Sequence, residues 1–241
     1  MLRPTGLTDR QRAIVGSTWL HRAKEEEKAS LRYGALALSL EKHHAPNEIL
    51  ELCLRAARDE AEHAKLCMEL AHEFLGQRAD QATQADVVPA MTVEYSEQQL
   101  TWEIVQTCCL NETWNATLLG HIYQRAEWPS IKRAARTLLA DEIWHSRLGW
   151  SYLNALSSKG SLNWLSDHIV SMLKSSGAKE ILRDETGDEL EAYGEVSGAT
   201  RRQLFSNTFR DVISPGLETL GVSTSAAHAW FQIIGDRTDR A

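Results

Sequence analysis

Apolar residues recur along this chain at intervals of three and four positions, the spacing of one face of an α-helix. The alternation of Val, Ile and Thr with polar residues that marks a strand is nearly absent, and Ala, Leu, Glu, Arg and Lys dominate the composition. Only five prolines interrupt the pattern. We therefore predict an all-α protein.

Two helices are predicted in the first third of the chain. The first is expected to run from a cap at Thr8 or Asp9 to about His44. The second is expected from about Asn47 to Leu75. The proline between them cannot continue a helix, so the two should be joined by a short turn.

A second helical pair is predicted after a long polar connection at residues 77–94. The third helix should span about Ser96 to Arg125, and the fourth should begin at Pro129 and end near Gly160. Short links within each pair and a long link between the pairs are typical of a four-helix bundle with one crossover, the connection pattern of ferritin-like folds.

The remaining third of the chain exceeds what such a bundle needs. We assign residues 1–160 to the bundle and residues 161–241 to a C-terminal helical extension packed on it. Three helices are predicted there, at residues 161–175, 200–213 and 226–234. The acidic stretch at residues 183–191 is interpreted as a solvated link. The extension could shape a substrate pocket or pack a homodimer.

Two Glu-x-x-His motifs stand out in the predicted bundle, one on the second helix and one on the fourth. Glu60 and His63, like Glu142 and His145, lie three positions apart, which places both side chains of a pair on one helix face. Two such pairs suit a metal centre built inside a bundle. The spacing occurs four times in the chain, so position must separate the candidates.

Distance from the turn provides that test, because residues equally far from a helical turn lie at equal height in the hairpin. The two motifs, together with Glu26 and Glu112, lie at comparable heights near the middle of the bundle. The Glu41–His44 pair lies beside the turn, and the Glu69–His72 pair faces the opposite side of its helix. We interpret those two pairs as structural.

Four carboxylates and two imidazoles form a mixed oxygen and nitrogen donor set. Such a set suits iron or manganese, whereas structural zinc favours cysteine and calcium favours oxygen alone. We expect two iron ions, with manganese or a mixed pair as alternatives. The predicted metal ligands are Glu26, Glu60, His63, Glu112, Glu142 and His145.

This set of residues resembles the ligands of the ferritin-like di-iron carboxylate superfamily, which includes ferritins, rubrerythrins, ribonucleotide reductase small subunits and di-iron monooxygenases. The residues after Glu26, among them Ala29 and Tyr33, are similar to the first ligand helix of that superfamily and favour Glu26 over Glu27. The chain is most similar to bacterial ferritin-like-domain proteins, most of which have no assigned function. The resemblance covers about residues 18–222.

Other residues are expected to support the ligands. Asp59 and Asp141 could accept the second N–H of the histidines, within or across the two halves, or could be solvated acids. Tyr33 could donate a proton or a hydrogen bond near the metals, although core packing is the simpler explanation for it. Arg58 and Arg147 could balance charge nearby.

The resemblance implies an O2-activating oxidoreductase that hydroxylates, N-oxygenates or desaturates a small organic substrate. The alternative is a ferroxidase or peroxide-scavenging protein similar to ferritin or rubrerythrin, and a third hypothesis is a metal-stabilised scaffold. No flavin, nicotinamide or iron–sulfur motif is present, so electrons would come from an external donor.

Charge and hydropathy indicate which classes of binding partner can be excluded. A net charge of −7 and a pI near 5.7 argue against a nucleic-acid surface. No apolar run reaches the length of a membrane span or a signal peptide. We therefore expect a cytoplasmic protein with no membrane association.

Overall fold

The structure is a computed structural model that describes residues 6–76, 95–176 and 188–238. Throughout this part of the chain the secondary structure is helical and no strand is found, which confirms the all-α prediction. No helix within the same ranges is both long and apolar enough to cross a membrane. The predicted connection at residues 77–94 lies outside the described residues.

Helix α1 spans Asp9–Lys42 and begins with a capping box. The Thr8 side chain accepts the backbone N–H of Gln11, and the Gln11 side chain accepts the N–H of Thr8, so two otherwise orphaned donors are satisfied. The helix ends before the predicted limit of His44, because that residue turns into the left-handed region with φ of 53°.

Helix α2 spans Asn47–Leu75, the range predicted from the sequence. Its end is set by Gly76, which adopts φ of 61° and donates its N–H to the carbonyl of His72. A glycine is the natural residue at this point because it has no Cβ to oppose a positive φ.

Helix α3 is a continuous helix built from three parts. It begins after the capping residue Ser96 as an α-helix at Glu97–Ile104, continues as a π-helical segment at Val105–Glu112, and returns to an α-helix at Thr113–Arg125. The overall range agrees with the prediction, but the π-helical segment was not predicted. Such wider turns are often found at functional sites.

Helix α4 spans Pro129–Ser157, with the proline in its first turn where its missing N–H costs nothing. The four long helices pack as a ring of neighbours in which α1 contacts α2, α2 contacts α4, α4 contacts α3 and α3 contacts α1. Helices α1 and α3 thus form one side of the ring, and α2 and α4 form the other. The interior between them is filled with apolar side chains such as Leu36, Leu119 and Leu138.

The C-terminal part is made of shorter elements than predicted. A 3₁₀-helix and a short helix α5 replace the single helix expected at residues 161–175, because the chain bends at His168. Helix α6 continues beyond the predicted stop near Pro215. The residues before this proline form a second π-helical segment, and the proline lies in the first turn of the α-helical segment that follows. In order, the elements are the 3₁₀-helix Asn163–Asp167, helix α5 at Ile169–Ser176, the 3₁₀-helix Asp188–Tyr193, helix α6 and helix α7 at Ser225–Thr238. Helix α6 has three consecutive parts: an α-helix at Gly198–Thr208, a π-helical segment at Phe209–Ile213 and an α-helix at Ser214–Thr219.

Residues 183–187 of the predicted solvated link at 183–191 lie outside the described residues, and the prediction is wrong at the C-terminal end of the link. Glu191 is buried, and its carboxylate binds Arg125 at 3.1 Å and lies 3.4 Å from His121, both on α3. A few residues later Glu195 is also buried and accepts a hydrogen bond from Thr18 on α1. These contacts hold the segment after residue 188 against α1 and α3.

Candidate metal centre

Six side chains from the four long helices meet in the middle of the ring. Helices α1 and α3 each contribute one glutamate, and α2 and α4 each contribute a Glu-x-x-His pair. All six are buried, with at most 4 % of each residue exposed. They are the six residues proposed from the sequence: Glu26, Glu60, His63, Glu112, Glu142 and His145.

The six residues form two overlapping groups of potential ligands. In one group Glu26 and His63 meet Glu60 and Glu142, and every member offers an atom within 4.8 Å of the others. In the second group the same two glutamates meet Glu112 and His145 under the same limit. Glu60 and Glu142 belong to both groups, so the arrangement has two positions with a shared pair of carboxylates between them.

Both histidines direct Nδ1 towards the shared carboxylates. His145 Nδ1 is hydrogen-bonded to Glu142 Oε2 at 3.1 Å and lies 2.9 Å from Glu60 Oε1. His63 Nδ1 lies 3.4 Å from Glu60 Oε2. The imidazole rings are 5.8 Å apart, which places the two positions side by side.

The protonation of the cluster reflects its burial and crowding. Burial raises the pKa of Glu26 and Glu112 well above the usual carboxyl value, and neighbouring carboxylates add to the effect. Burial and the charge of Glu60 raise the pKa of Glu142 to about 7. Burial also acts to raise the pKa of Glu60, but the adjacent imidazoles outweigh it and lower the pKa to about 2. Burial alone would lower the pKa of His145, yet Glu142 and Glu60 raise it to about 12.

Several buried atoms of this cluster make no hydrogen bond to any described residue. They are both carboxylate oxygens of Glu60, Oε1 of Glu142 and Nδ1 of His63. The two Glu60 oxygens lie 2.9 and 3.4 Å from the Nδ1 atoms of His145 and His63, so ion pairing offsets part of the cost of burying these atoms. Burial without full hydrogen bonding still carries a cost, which for one unsatisfied polar atom is about 1–3 kcal/mol. A cation among these atoms would offset that cost. The buried Glu and His groups therefore could bind a metal ion.

The histidines are oriented from outside by aspartates of the opposite half. His63 Nε2 lies 3.2 Å from Asp141 Oδ2, and His145 Nε2 lies 3.4 Å from Asp59 Oδ2. When Nε2 donates its proton to the aspartate, Nδ1 keeps a lone pair directed into the cluster, which is the form that can bind a metal. The sequence left open whether each aspartate contacts the histidine of its own helix or that of the other helix. In the structure each contacts the histidine of the other helix.

Tyr33 contacts the cluster directly. Its buried hydroxyl donates to Glu112 Oε1 at 2.7 Å and accepts a weak contact from Cys108 Sγ at 3.6 Å. Burial raises the pKa of Tyr33 well above the usual value, so the hydroxyl keeps its proton at neutral pH. Asn115 donates to the other oxygen of Glu112 at 3.3 Å, and Arg22 donates to Glu26 Oε1 at the same distance.

Sequence reasoning missed Arg55 and named two other arginines. Arg55 contacts both outer aspartates, whereas Arg58 is exposed and Arg147 stacks on Trp144 with 5.0 Å between the guanidinium carbon and the ring centre. The spacing of Arg55 from Asp59, one helical turn, was the available signal.

A cavity of about 480 Å³ reaches the cluster between α1 and α3. Glu26 and Glu112 form part of its wall, whereas the histidines lie on the α2 and α4 side. Trp19, Trp114 and Leu118 form its apolar wall, charged and polar side chains such as Arg22 and Asn115 form the rest, and the segment at residues 194–196 closes part of it. Its size is that of sites that bind small organic molecules.

Comparison of the chain with protein-family models, curated proteins and solved structures finds no match. Function is therefore inferred from the geometry of the cluster and the cavity.

Proposed function

We propose that this protein is a ferritin-like, non-haem dinuclear iron oxidoreductase that uses O2 to oxidise a small organic substrate. The observation that supports this most strongly is the pair of buried ligand groups that share Glu60 and Glu142. Mixed carboxylate and imidazole donors suit iron, and manganese or a mixed pair is compatible with the same atoms.

The residues divide naturally between two ions. Glu26 and His63 would hold one ion, and Glu112 and His145 would hold the other, with the two remaining glutamates available to both. Two divalent ions would balance the four carboxylates in charge. The high pKa values of the metal-free carboxyls are the cost of bringing these groups together, and a bound cation removes that cost.

When bound, the ions supply redox chemistry with O2 that no side chain can supply. A hydroxylation would consume one O2, two electrons and two protons per substrate and release one water. The electrons would come from an external donor protein or reductant. The chain itself shields the shared carboxylates of Glu60 and Glu142 from water, because both are fully buried, whereas Glu26 and Glu112 face the cavity.

The cavity provides the place for the substrate. It meets the cluster at the two unshared carboxylates, Glu26 and Glu112. Its walls combine apolar side chains with charged and polar ones, and its size suits a small organic molecule that carries polar groups. The Tyr33 hydroxyl oxygen lies 2.7 Å from Glu112 Oε1 and donates a hydrogen bond to it, so Tyr33 could deliver a proton to that carboxylate. This cavity is the reason to favour substrate oxidation over ferroxidase or peroxide-scavenging activity.

Anaerobic reconstitution with Fe(II), followed by admission of O2, tests the proposal. We expect two irons per chain and an optical change on oxidation whose decay is accelerated by an organic substrate of the right shape. Oxidation that no substrate accelerates, or rapid consumption of added peroxide, would favour the ferroxidase or peroxidase alternative. Less than about one metal per folded chain would mean that the cluster is not a metal centre.

A further inference from the structure

Arg55 joins the two halves of the centre from the outside. It lies one turn before Asp59 on α2, and its Nε donates to Asp59 Oδ2 at 3.2 Å. Its Nη2 donates to Asp141 Oδ1, on α4, at 3.3 Å. A single guanidinium therefore bridges the two aspartates that orient the histidines.

The bridge is continuous from one histidine to the other. Asp141 contacts His63 and Asp59 contacts His145, and both use Oδ2 for the imidazole. Asp141 presents its other oxygen, Oδ1, to Arg55, whereas Asp59 Oδ2 serves both partners. Each aspartate thus directly precedes the glutamate of one Glu-x-x-His motif but supports the histidine of the other motif.

Electrostatics explains why the link needs an arginine. Two carboxylates that face one another repel, and without a cation between them they would turn apart towards water and lose their contacts with the imidazoles. The planar guanidinium offers several fixed donors and can serve both carboxylates at once, whereas a lysine ammonium is a point charge. The Trp144 ring, 5.7 Å from the guanidinium carbon, supports the position of Arg55.

We propose that Arg55 is a positioning residue that couples the two metal positions through the crossed aspartate–histidine contacts. The proposal rests on the two-ion centre proposed above. Because the Arg55 side chain is 44 % exposed, its ion pairs contribute little to the stability of the fold. Its effect should therefore appear in metal binding and at both positions together.

Anaerobic titration with Co(II), followed by visible absorption, tests the coupling in the full-length chain. Wild type should bind two ions. Asp59→Asn should weaken one position about tenfold, as removal of an outer partner of a metal-bound histidine commonly does. Arg55→Ala should weaken both positions by a similar factor, and Arg55→Lys should recover only part of the loss. Arg58→Ala, an exposed arginine on the same helix, should match wild type.

Urea unfolding of the metal-free variants separates positioning from a structural role. The midpoint for Arg55→Ala should equal that of wild type, although its Co(II) affinity is reduced. Two unperturbed positions in Arg55→Ala, or weakening of only one, would overturn the coupling while leaving the two-ion centre intact. Fewer than two Co(II) ions in wild type would overturn the centre and the coupling with it.

Discussion

The two helical pairs present the same pattern of candidate ligands but support it differently. In the first pair, Glu26 lies on a regular α-helix and receives a hydrogen bond from Arg22. In the second pair, Glu112 ends a π-helical segment and receives hydrogen bonds from Tyr33 and Asn115. Because a cation lies beside one carboxylate and neutral donors lie beside the other, we expect the two proposed metal positions to differ in affinity.

The helix contacts made by glycine also differ between the two helical pairs. Gly149 of α4 lies against the π-helical segment, where an added Cβ would be 2.6 Å from Cys108 Cβ and 3.0 Å from the backbone nitrogen of Cys109. Gly16 of α1 faces the side chain of Leu75, at the end of α2. Both pairs therefore have a glycine at a close helix contact, since a Cβ on Gly16 would lie 2.5 Å from Leu75 Cγ, but only Gly149 meets a backbone atom of the neighbouring helix.

The largest expected effect comes from removing a shared ligand. Glu60→Ala should abolish binding of both ions, because this carboxylate belongs to both ligand groups. Glu112→Ala or His145→Ala should lose one position and sharply reduce bound metal. His72→Ala and His44→Ala serve as controls and should keep wild-type metal content, measured by elemental analysis after desalting. Equal losses in all five variants would contradict the positional argument.

Helix packing gives the next comparison. Gly149→Ala should cost about 1–3 kcal/mol in the free energy of unfolding, because the new methyl group meets backbone and Cβ atoms that cannot move far. Gly16→Ala should cost less, since the Leu75 side chain can rotate away. Gly120→Ala, with open space around its Cβ, should be neutral or stabilising by up to about 1 kcal/mol. Urea denaturation of all three measures the order, and a reversed order would refute the close approach.

Features of the fold that depend on residues close together in sequence could be predicted from the sequence alone. The meeting of the two Glu-x-x-His pairs in the bundle was predictable because three-residue spacing and distance from a turn are local properties of helices. The caps at Thr8 and Gly76 are local too, which is why the first two helices end within two residues of their predicted limits.

Features that depend on packing between helices were not predictable in this way. The π-helical segment at Val105–Glu112 forms where α4 presents Gly149, and no single-helix pattern indicates it. The choice between direct and crossed aspartate contacts, and the bridge by Arg55, depend on the relative height of α2 and α4. Burial of Glu191 likewise depends on partners about 70 residues away on α3.

The metal-free protein should become less stable as pH rises. Folding raises the pKa of Glu142 from 4.5 to about 7, so the folded state binds this proton more tightly and stability declines between those values. The raised carboxyls of Glu26 and Glu112 act in the same direction. The pKa of Glu60 is lowered to about 2, so its contribution to stability does not change above pH 4.5. The pKa of His145 is raised from 6.5 to about 12, so its contribution does not change below pH 6.5.

Unfolding midpoints at pH 5 and pH 6.5, with a chelator present, test this sign. We expect a loss on the order of 1–3 kcal/mol, since one pKa unit corresponds to about 1.4 kcal/mol. With metal bound the trend should reverse, because the ligands must be deprotonated to hold a cation. Parallel profiles for the metal-free and metal-loaded protein would show that the raised carboxyls are not the metal ligands.

The smallest effect should come from Tyr33→Phe, which removes one hydroxyl and keeps the ring. Its hydrogen bond to Glu112 is worth about 1 kcal/mol, so the protein should fold and bind two ions. Only the position that contains Glu112 should change its Co(II) absorption, whereas the position with Glu26 should keep its spectrum. Equal changes at both positions would mean that Tyr33 acts through the shared carboxylates, and no change at either would assign it to core packing alone.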